Sequence, residues 1–205
     1  VGHSKAEKSD SHQRILRVAA ARFRQAGVEG VGVADLMQEA GLTHGGFYRH
    51  FASRDALVAE AVEVALKDGG RGVAAIDAAL AASTGDARAQ AAKRNSLLHA
   101  LIDYYTSLTH RDQLASSCAV TTLAGDVARS SDETRAAYTR QVDIYLDLIA
   151  RLVAADRQKA RRSKSIAALA TLVGAVSLSR AVNDAQLSGE ILSAAAAELK
   201  AQLGD

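Results

Sequence analysis

Proline and tryptophan are absent from the 205 residues, cysteine and methionine occur once each, and aromatic residues make up only 4%. Average usage would place roughly ten prolines in a chain of this length. Their absence disfavours proline-marked hairpins, collagen-like repeats and proline-rich tails, because the residue that punctuates them is missing. A single cysteine can form neither an internal disulfide nor a thiolate zinc cage, and it points to a reducing cytoplasm. Long apolar runs are lacking too. The most apolar, Ile166 to Leu178, contains Thr171, Gly174 and Ser177 and soon meets Arg180, so it is too short to cross a bilayer. The N-terminal Lys5, Glu7, Lys8 and Asp10 do not make a secretory signal. The expectation is a cytoplasmic protein without a membrane partner. Alanine is what the chain has in plenty, about a fifth of it. It is the strongest helix former, so the expected class is all-α.

Charge and aromatic residues are unevenly placed. Residues 1–55 carry eight Lys/Arg against six Asp/Glu, and residues 56–205 carry seventeen of each, so the whole net charge of +2 lies at the N-terminus. From Ala40 to Arg54 there are Arg49, Arg54, His44 and His50 and no acid. That composition suits a polyanion. All three phenylalanines, Phe23, Phe47 and Phe51, fall in the same N-terminal stretch, as expected of a small unit using bulky rings to close its core. The rest is rich in Ala, Leu and Val at helical spacing, which suits long packed helices. Two domains are expected: residues 1–52, including an N-terminal arm, and residues 53–205.

Periodicity predicts a first helix over about 11–26, stopped by Gly27, with Ile15, Leu16, Ala19 and Phe23 on its apolar stripe and Arg14, Arg17 and Arg24 off it. A second, about 33–40, ends at Gly41, where a left-handed cap is needed. Thr43 is positioned to cap a third helix running through Phe51, and Ser53 a fourth carrying Leu57, Val58, Ala61, Val62, Ala65 and Leu66. Further helices are expected at about 71–82, 87–108, 114–129, 132–155, 163–182 and 188–203. Three short helices with a tight glycine turn make a helix-turn-helix unit.

The third segment, Thr43-His44-Gly45-Gly46-Phe47-Tyr48-Arg49-His50-Phe51, concentrates the chemistry. Two adjacent glycines cost roughly 1 kcal/mol each in a helix relative to alanine. Bare backbone entering a groove would benefit, because free N–H groups can approach phosphates and base edges. The stretch Gly41 to Leu57, reading GLTHGGFYRHFASRDAL, closely resembles the DNA-binding signature of TetR/AcrR-type transcriptional regulators, in the Gly-Gly-Phe-Tyr-x-His-Phe form of a large bacterial subgroup. With the two upstream helices the signature covers about 45 residues.

The resemblance implies a homodimeric repressor, not an enzyme, that binds a double-stranded DNA operator and is released by a small apolar ligand. Thr43 and His44 fall where the family makes phosphate and base contacts, and Tyr48 and His50 match positions that touch the DNA backbone. Arg54 stands where most members have lysine, so a phosphate contact would survive. Gly32 stands where members often have a capping Ser or Thr. Base readout is expected from His44, Gly45 and Arg49, with Arg49 able to reach a guanine edge or a phosphate, and Gly46 is expected in the same DNA-binding segment. Phe47 and Phe51 read as core.

The C-terminal part resembles the subgroup more loosely, through Ser117 to Leu123, Asp126 to Ser130 and Val173 to Val182. Family dimers form through the last two long helices, here about 163–182 and 188–203, and Leu169, Leu172, Val173 and Val176 make an apolar stripe there that could equally be internal core. An effector pocket is expected between the helices of this domain, lined by His99, Asp103, Tyr104, Tyr105, Tyr138 and Tyr145, which are polar or aromatic on otherwise apolar helices. Cys118 is a further candidate: a lone thiol could sense electrophiles, giving a second reading as a thiol-sensing repressor, although burial is the commoner fate of a free cysteine. A helical enzyme or ligand carrier is the alternative from another class. No metal motif, Ser-His-Asp context or phosphate loop is present, and no cofactor is expected.

Overall fold

The computed structural model describes residues 5–153 and 158–204, and all their regular structure is helical. The α-helices among them are α1 (Lys5–Ala26), α2 (Val33–Glu39), α3 (Arg54–Gly69), α4 (Arg71–Ala81), α5 (Ala87–Tyr105), α6 (Leu108–Asp112), α7 (Ala119–Thr122), α8 (Ala124–Ala128), α9 (Asp132–Leu152), α10 (Gln158–Ala181) and α11 (Ala185–Leu203). Tighter 3-10 turns occupy His44–Arg49 and Leu114–Ser116. None of these helices is long and apolar enough to cross a membrane.

The expected helix over 114–129 is instead a 3-10 turn followed by α7 and α8. The hydroxyl-bearing run Ser116-Ser117 and Thr121-Thr122, with Gly125, supplies the breaks, because these side chains compete for backbone hydrogen bonds. Thr122 and Ser130 indeed turn their hydroxyls onto the carbonyls of Cys118 and Asp126. The last two residues of the expected 132–155 helix lie outside the described residues.

Packing divides the chain into two compact units, one of residues 1–69 and 114–139, the other of residues 70–113 and 140–205. This packing division runs elsewhere than the functional boundary expected after residue 52, since α3 and the 114–122 region pack with α1. In the first unit Ile15, Ala19 and Phe23 of α1 meet Leu57, Ala61 and Val62 of α3, and Leu36, Met37, Phe47 and Phe51 close the core. Full burial of such side chains stabilises by about 1.5–3 kcal/mol each.

Arg24, expected off the apolar stripe, is 6% exposed. Its Nε donates to the Ala115 carbonyl at 2.7 Å and Nη1 to the Ala65 carbonyl at 2.9 Å. One guanidinium thus ties α1 to the end of α3 and to the 114–116 turn, where its charge-assisted bonds satisfy carbonyls at two element ends. Gly69 makes the same junction from the other side. A Cβ there would lie 2.8 Å from the Ser117 oxygen and 2.9 Å from the Ala119 nitrogen, so only glycine lets α3 end against that backbone.

In the second unit α5, α9, α10 and α11 are the long members and α4 lies along α5. Leu98, Leu101, Ile102, Leu148, Ile149, Leu172 and Val176 supply the core. Surface ion pairs join neighbouring helices: Asp77 of α4 with Arg151 of α9, Asp143 of α9 with Arg162 of α10, and Asp103 of α5 with Lys200 of α11. Each is worth at most about 1 kcal/mol. The α6 end is held by Arg180, whose Nη2 and Nε donate to the His110 and Arg111 carbonyls at 2.9 Å.

The stripe Leu169, Leu172, Val176 is buried inside this unit and Val173 is half-buried. The α10 face left to solvent is a different one, with Ile166 49% and Leu178 58% exposed. The exposed positions between Ile166 and Ala181 are Ile, Ala, Ala, Thr, Ser, Leu and Ala, without a charge among them.

Candidate functional site

Gly41 sets the corner before the basic segment. Its φ is +72°, its N–H donates to Gln38 at 2.9 Å, and the Leu42 N–H reaches back to Met37 at 2.8 Å. This pair of bonds is the Schellman motif, which satisfies α2's last carbonyls and needs a residue comfortable in the left-handed region. Nothing lies within 4 Å of where a Gly41 Cβ would be. The requirement is therefore backbone conformation, not space. At the other end of α2, Gly32 provides no side-chain cap.

After this corner the chain winds as a 3-10 turn over His44–Arg49 where an α-helix through Phe51 was expected. Gly45-Gly46 explains the difference, since the pair has low helix propensity and the short segment is held by its flanks instead. Thr43 has extended N-cap backbone, but its hydroxyl makes no capping bond. Ser53 does cap α3, accepting the Ala56 N–H at 3.1 Å. Phe47 and Phe51 are buried with ring centroids 5.6 Å apart, which anchors the segment and leaves Tyr48 and Arg49 facing outward.

Thr43, His44, Gly45, Tyr48 and Arg49 are exposed, Tyr48 at 77%, while Gly46 is half-buried beside Met37. His50 is half-buried, and its Nδ1 is enclosed without a hydrogen-bond partner. Burial, and then the nearby charges of His12, Lys8 and Arg49, hold its imidazole below the ordinary histidine range. His12 itself stacks on Phe51 at 4.6 Å and bonds Glu60 at 2.7 Å. Together with Lys8 and Ser11 of α1, the basic segment borders an open groove.

Arg54 turns its guanidinium onto the backbone between α1 and α2. Nη2 donates to the Val28 carbonyl at 2.7 Å and Nη1 to the Val31 carbonyl at 3.2 Å, so the fork holds the α1–α2 loop. The same loop is gripped by Asp126 of α8, which accepts the Val28 N–H at 3.2 Å beside Gly27, whose φ is +74°. Sequence spacing could not reveal this contact between residues 98 positions apart.

Of the residues expected to line an effector pocket, the second unit brings Tyr105 and Tyr145 to one cavity. Val73 of α4, Leu101 of α5, Leu148 and Ile149 of α9, and Leu169 and Leu172 of α10 complete its wall. The space these side chains leave is room for about one water at most. His99 faces the chain near Gly204 instead, Asp103 pairs with Lys200, and Tyr104 lies on Gly72 with its ring 2.8 Å from a Cβ position. Cys118 and Tyr138 belong to the first unit. The thiol is 2% exposed at the start of α7, and the Tyr138 hydroxyl donates to the Val120 carbonyl at 2.6 Å. Burial, with Cys118 beside it, pushes the Tyr138 hydroxyl up to about 12.

Residues 15–61, which span the C-terminal half of α1, α2, the basic turn and the first half of α3, match the family model described as bacterial regulatory proteins, tetR family. This segment carries the family's N-terminal signature. Solved TetR-type structures share the chain's fold over nearly its whole length. The reduced form of Escherichia coli NemR is 17% identical over 94% of this chain and 96% of its own, with a TM-score of 0.72. A TetR transcriptional regulator from Chloroflexus aurantiacus is 21% identical over 96% and 95%, with a TM-score of 0.73. A TetR-family regulator from Agrobacterium tumefaciens is 17% identical over 97% and 100%, also at 0.73. No curated protein sequence matches. Within the matched segment the helix-turn-helix is α2, the Gly41 corner and the His44–Arg49 turn, carried on α1 and α3.

Proposed function

We propose that the protein is a homodimeric repressor that grips a two-fold operator with the Thr43–His50 segment and releases it when a small apolar molecule occupies the second unit. The observation that carries the DNA contact is the acid-free, solvent-facing run from Thr43 to Arg49, mounted on two buried phenylalanines and a rigid glycine corner. Tyr48 and His50 suit backbone phosphates, and His44, Gly45, Gly46 and Arg49 suit base edges or phosphates. Arg54 acts from behind, by fixing the loop between α1 and α2. The uncharged face of α10 favours a second copy as its cover, because a single half-site would be held weakly and a dimer reads both.

The test is binding of the purified protein to DNA flanking its own coding region across a salt series. Affinity should fall steeply with salt. Arg49→Ala should weaken binding and, where Arg49 meets a phosphate, lower the slope by about one contact. Arg54→Ala should lower affinity and leave the slope unchanged. Salt-independent binding, or none to any flanking DNA, would remove the reading.

A further inference from the structure

His12 lies in the first unit, on α1, one turn before the buried Ile15 and Leu16, so it continues the apolar stripe of that helix with a polar ring. It joins three elements. Its ring stacks on Phe51 with centroids 4.6 Å and planes 27° apart, His50 stands at 6.1 Å, and Nε2 lies 2.7 Å from the Glu60 carboxylate of α3. An ionised carboxylate only accepts, so Nε2 carries the proton and donates. The basic turn needs such an anchor. Gly45-Gly46 gives it little rigidity of its own, and Thr43 makes no side-chain cap. At its end the His50 and Phe51 N–H groups share the Phe47 carbonyl, at 2.9 and 3.1 Å.

We infer that His12 is a positioning residue for DNA binding: held by Glu60 on one side and stacked on Phe51 on the other, it sets the pose of the Tyr48–His50 end of the basic turn. The inference rests on the reading that this turn grips DNA; the clamp itself does not. Phe51 is buried and directly follows Tyr48, Arg49 and His50, so a shift of its ring moves the outward-facing side chains just before it. A ring stack tolerates sliding, and the Glu60 bond removes that freedom. The sign of the Glu60 effect separates positioning from charge. An acid near a segment that binds a polyanion repels it, so on charge alone the loss of Glu60 should tighten binding. Acting through His12, its loss weakens binding instead.

The experiment measures affinity of the full chain for the flanking DNA across a salt series, with amide hydrogen exchange on the same proteins free of DNA. Glu60→Leu should weaken binding about three- to tenfold. Glu60→Gln, whose side-chain oxygen still accepts from Nε2, should bind no more weakly than the parent. His12→Ala should weaken binding as Glu60→Leu does, with the salt slope unchanged. In that background the further cost of Arg49→Ala should shrink, while that of Thr43→Ala, at the far end of the turn, should not. Exchange at His50 and Phe51 should quicken in His12→Ala and Glu60→Leu, and exchange at Gly41 and Leu42 should not. His12→Phe keeps the stack without the donor and takes the place of His12→Ala if that variant does not fold. Tighter or unchanged binding by Glu60→Leu, a slope lowered by one contact in His12→Ala, or unchanged exchange at His50 and Phe51 would overturn the inference. Quickened exchange in the variants of a protein that binds no flanking DNA would keep the clamp and sink the repressor reading.

Discussion

Gly69 and His50 illustrate what single side chains contribute. At Gly69 the nearest obstacles to a Cβ are the backbone atoms of Ser117, Cys118 and Ala119, which cannot rotate away. Gly69→Ala should therefore lower stability by about 1–3 kcal/mol despite alanine's better helix propensity, a drop that a denaturant titration would reveal. A gain in stability would mean that the α3 end is free to shift. Burial, and then His12, Lys8 and Arg49, hold the His50 imidazole below the ordinary histidine range. A phosphate placed beside it would favour the charged form, so DNA binding should take up a proton and tighten as pH falls from about 8 to about 6. His50→Gln should flatten that trend, and an undiminished trend would take His50 out of the contact. Tyr48 and Arg49 were readable as surface groups from the spacing of Phe47 and Phe51. The use of Arg24 and Arg54 on distant carbonyls was not, because no local pattern marks which arginine finds an acceptor 91 or 26 positions away.

Among the helices, α1, α2 and α3 were legible because apolar residues recur at helical spacing and Gly27, Gly41 and Ser53 mark their limits. The basic turn and the α7–α8 region were less so, since propensity there is weak and tertiary packing decides the local winding. α10 shows a subtler limit. Its apolar positions cover more than one face, and only packing separates the buried stripe of Leu169, Leu172 and Val176 from the exposed Ile166 and Leu178. Leu178→Glu should therefore leave the protomer folded while shifting sedimentation from dimer to monomer and weakening operator binding. A variant that stays dimeric would place the self-contact elsewhere, whereas Leu172→Glu should damage the protomer itself through an unpaired buried charge.

For the molecule as a whole, acid should be destabilising through His110. This side chain is 4% exposed, packs on the Tyr105 ring at 4.6 Å and donates from Nδ1 to the Tyr105 carbonyl at 2.7 Å. Burial holds its imidazole below the ordinary 6.5, the carbonyl bond opposes this, and Arg180 adds to it. The unfolded chain thus binds this proton more readily than the folded one. The stability it supplies is complete above about pH 6.5 and drains away as pH falls through the folded value. Melting temperatures followed down from neutral pH should fall, and His110→Gln should make them fall less. Composition and periodicity by themselves determined the helical class and the basic, aromatic-rich N-terminal stretch, because helix spacing, glycine corners and charge are local properties of a chain. Only the tertiary structure decided that 114–139 packs with the N-terminal helices, that Tyr105 and Tyr145 share a cavity, and which face of α10 is open. Those outcomes depend on which distant side chains fill a common volume, and no spacing along the chain records that.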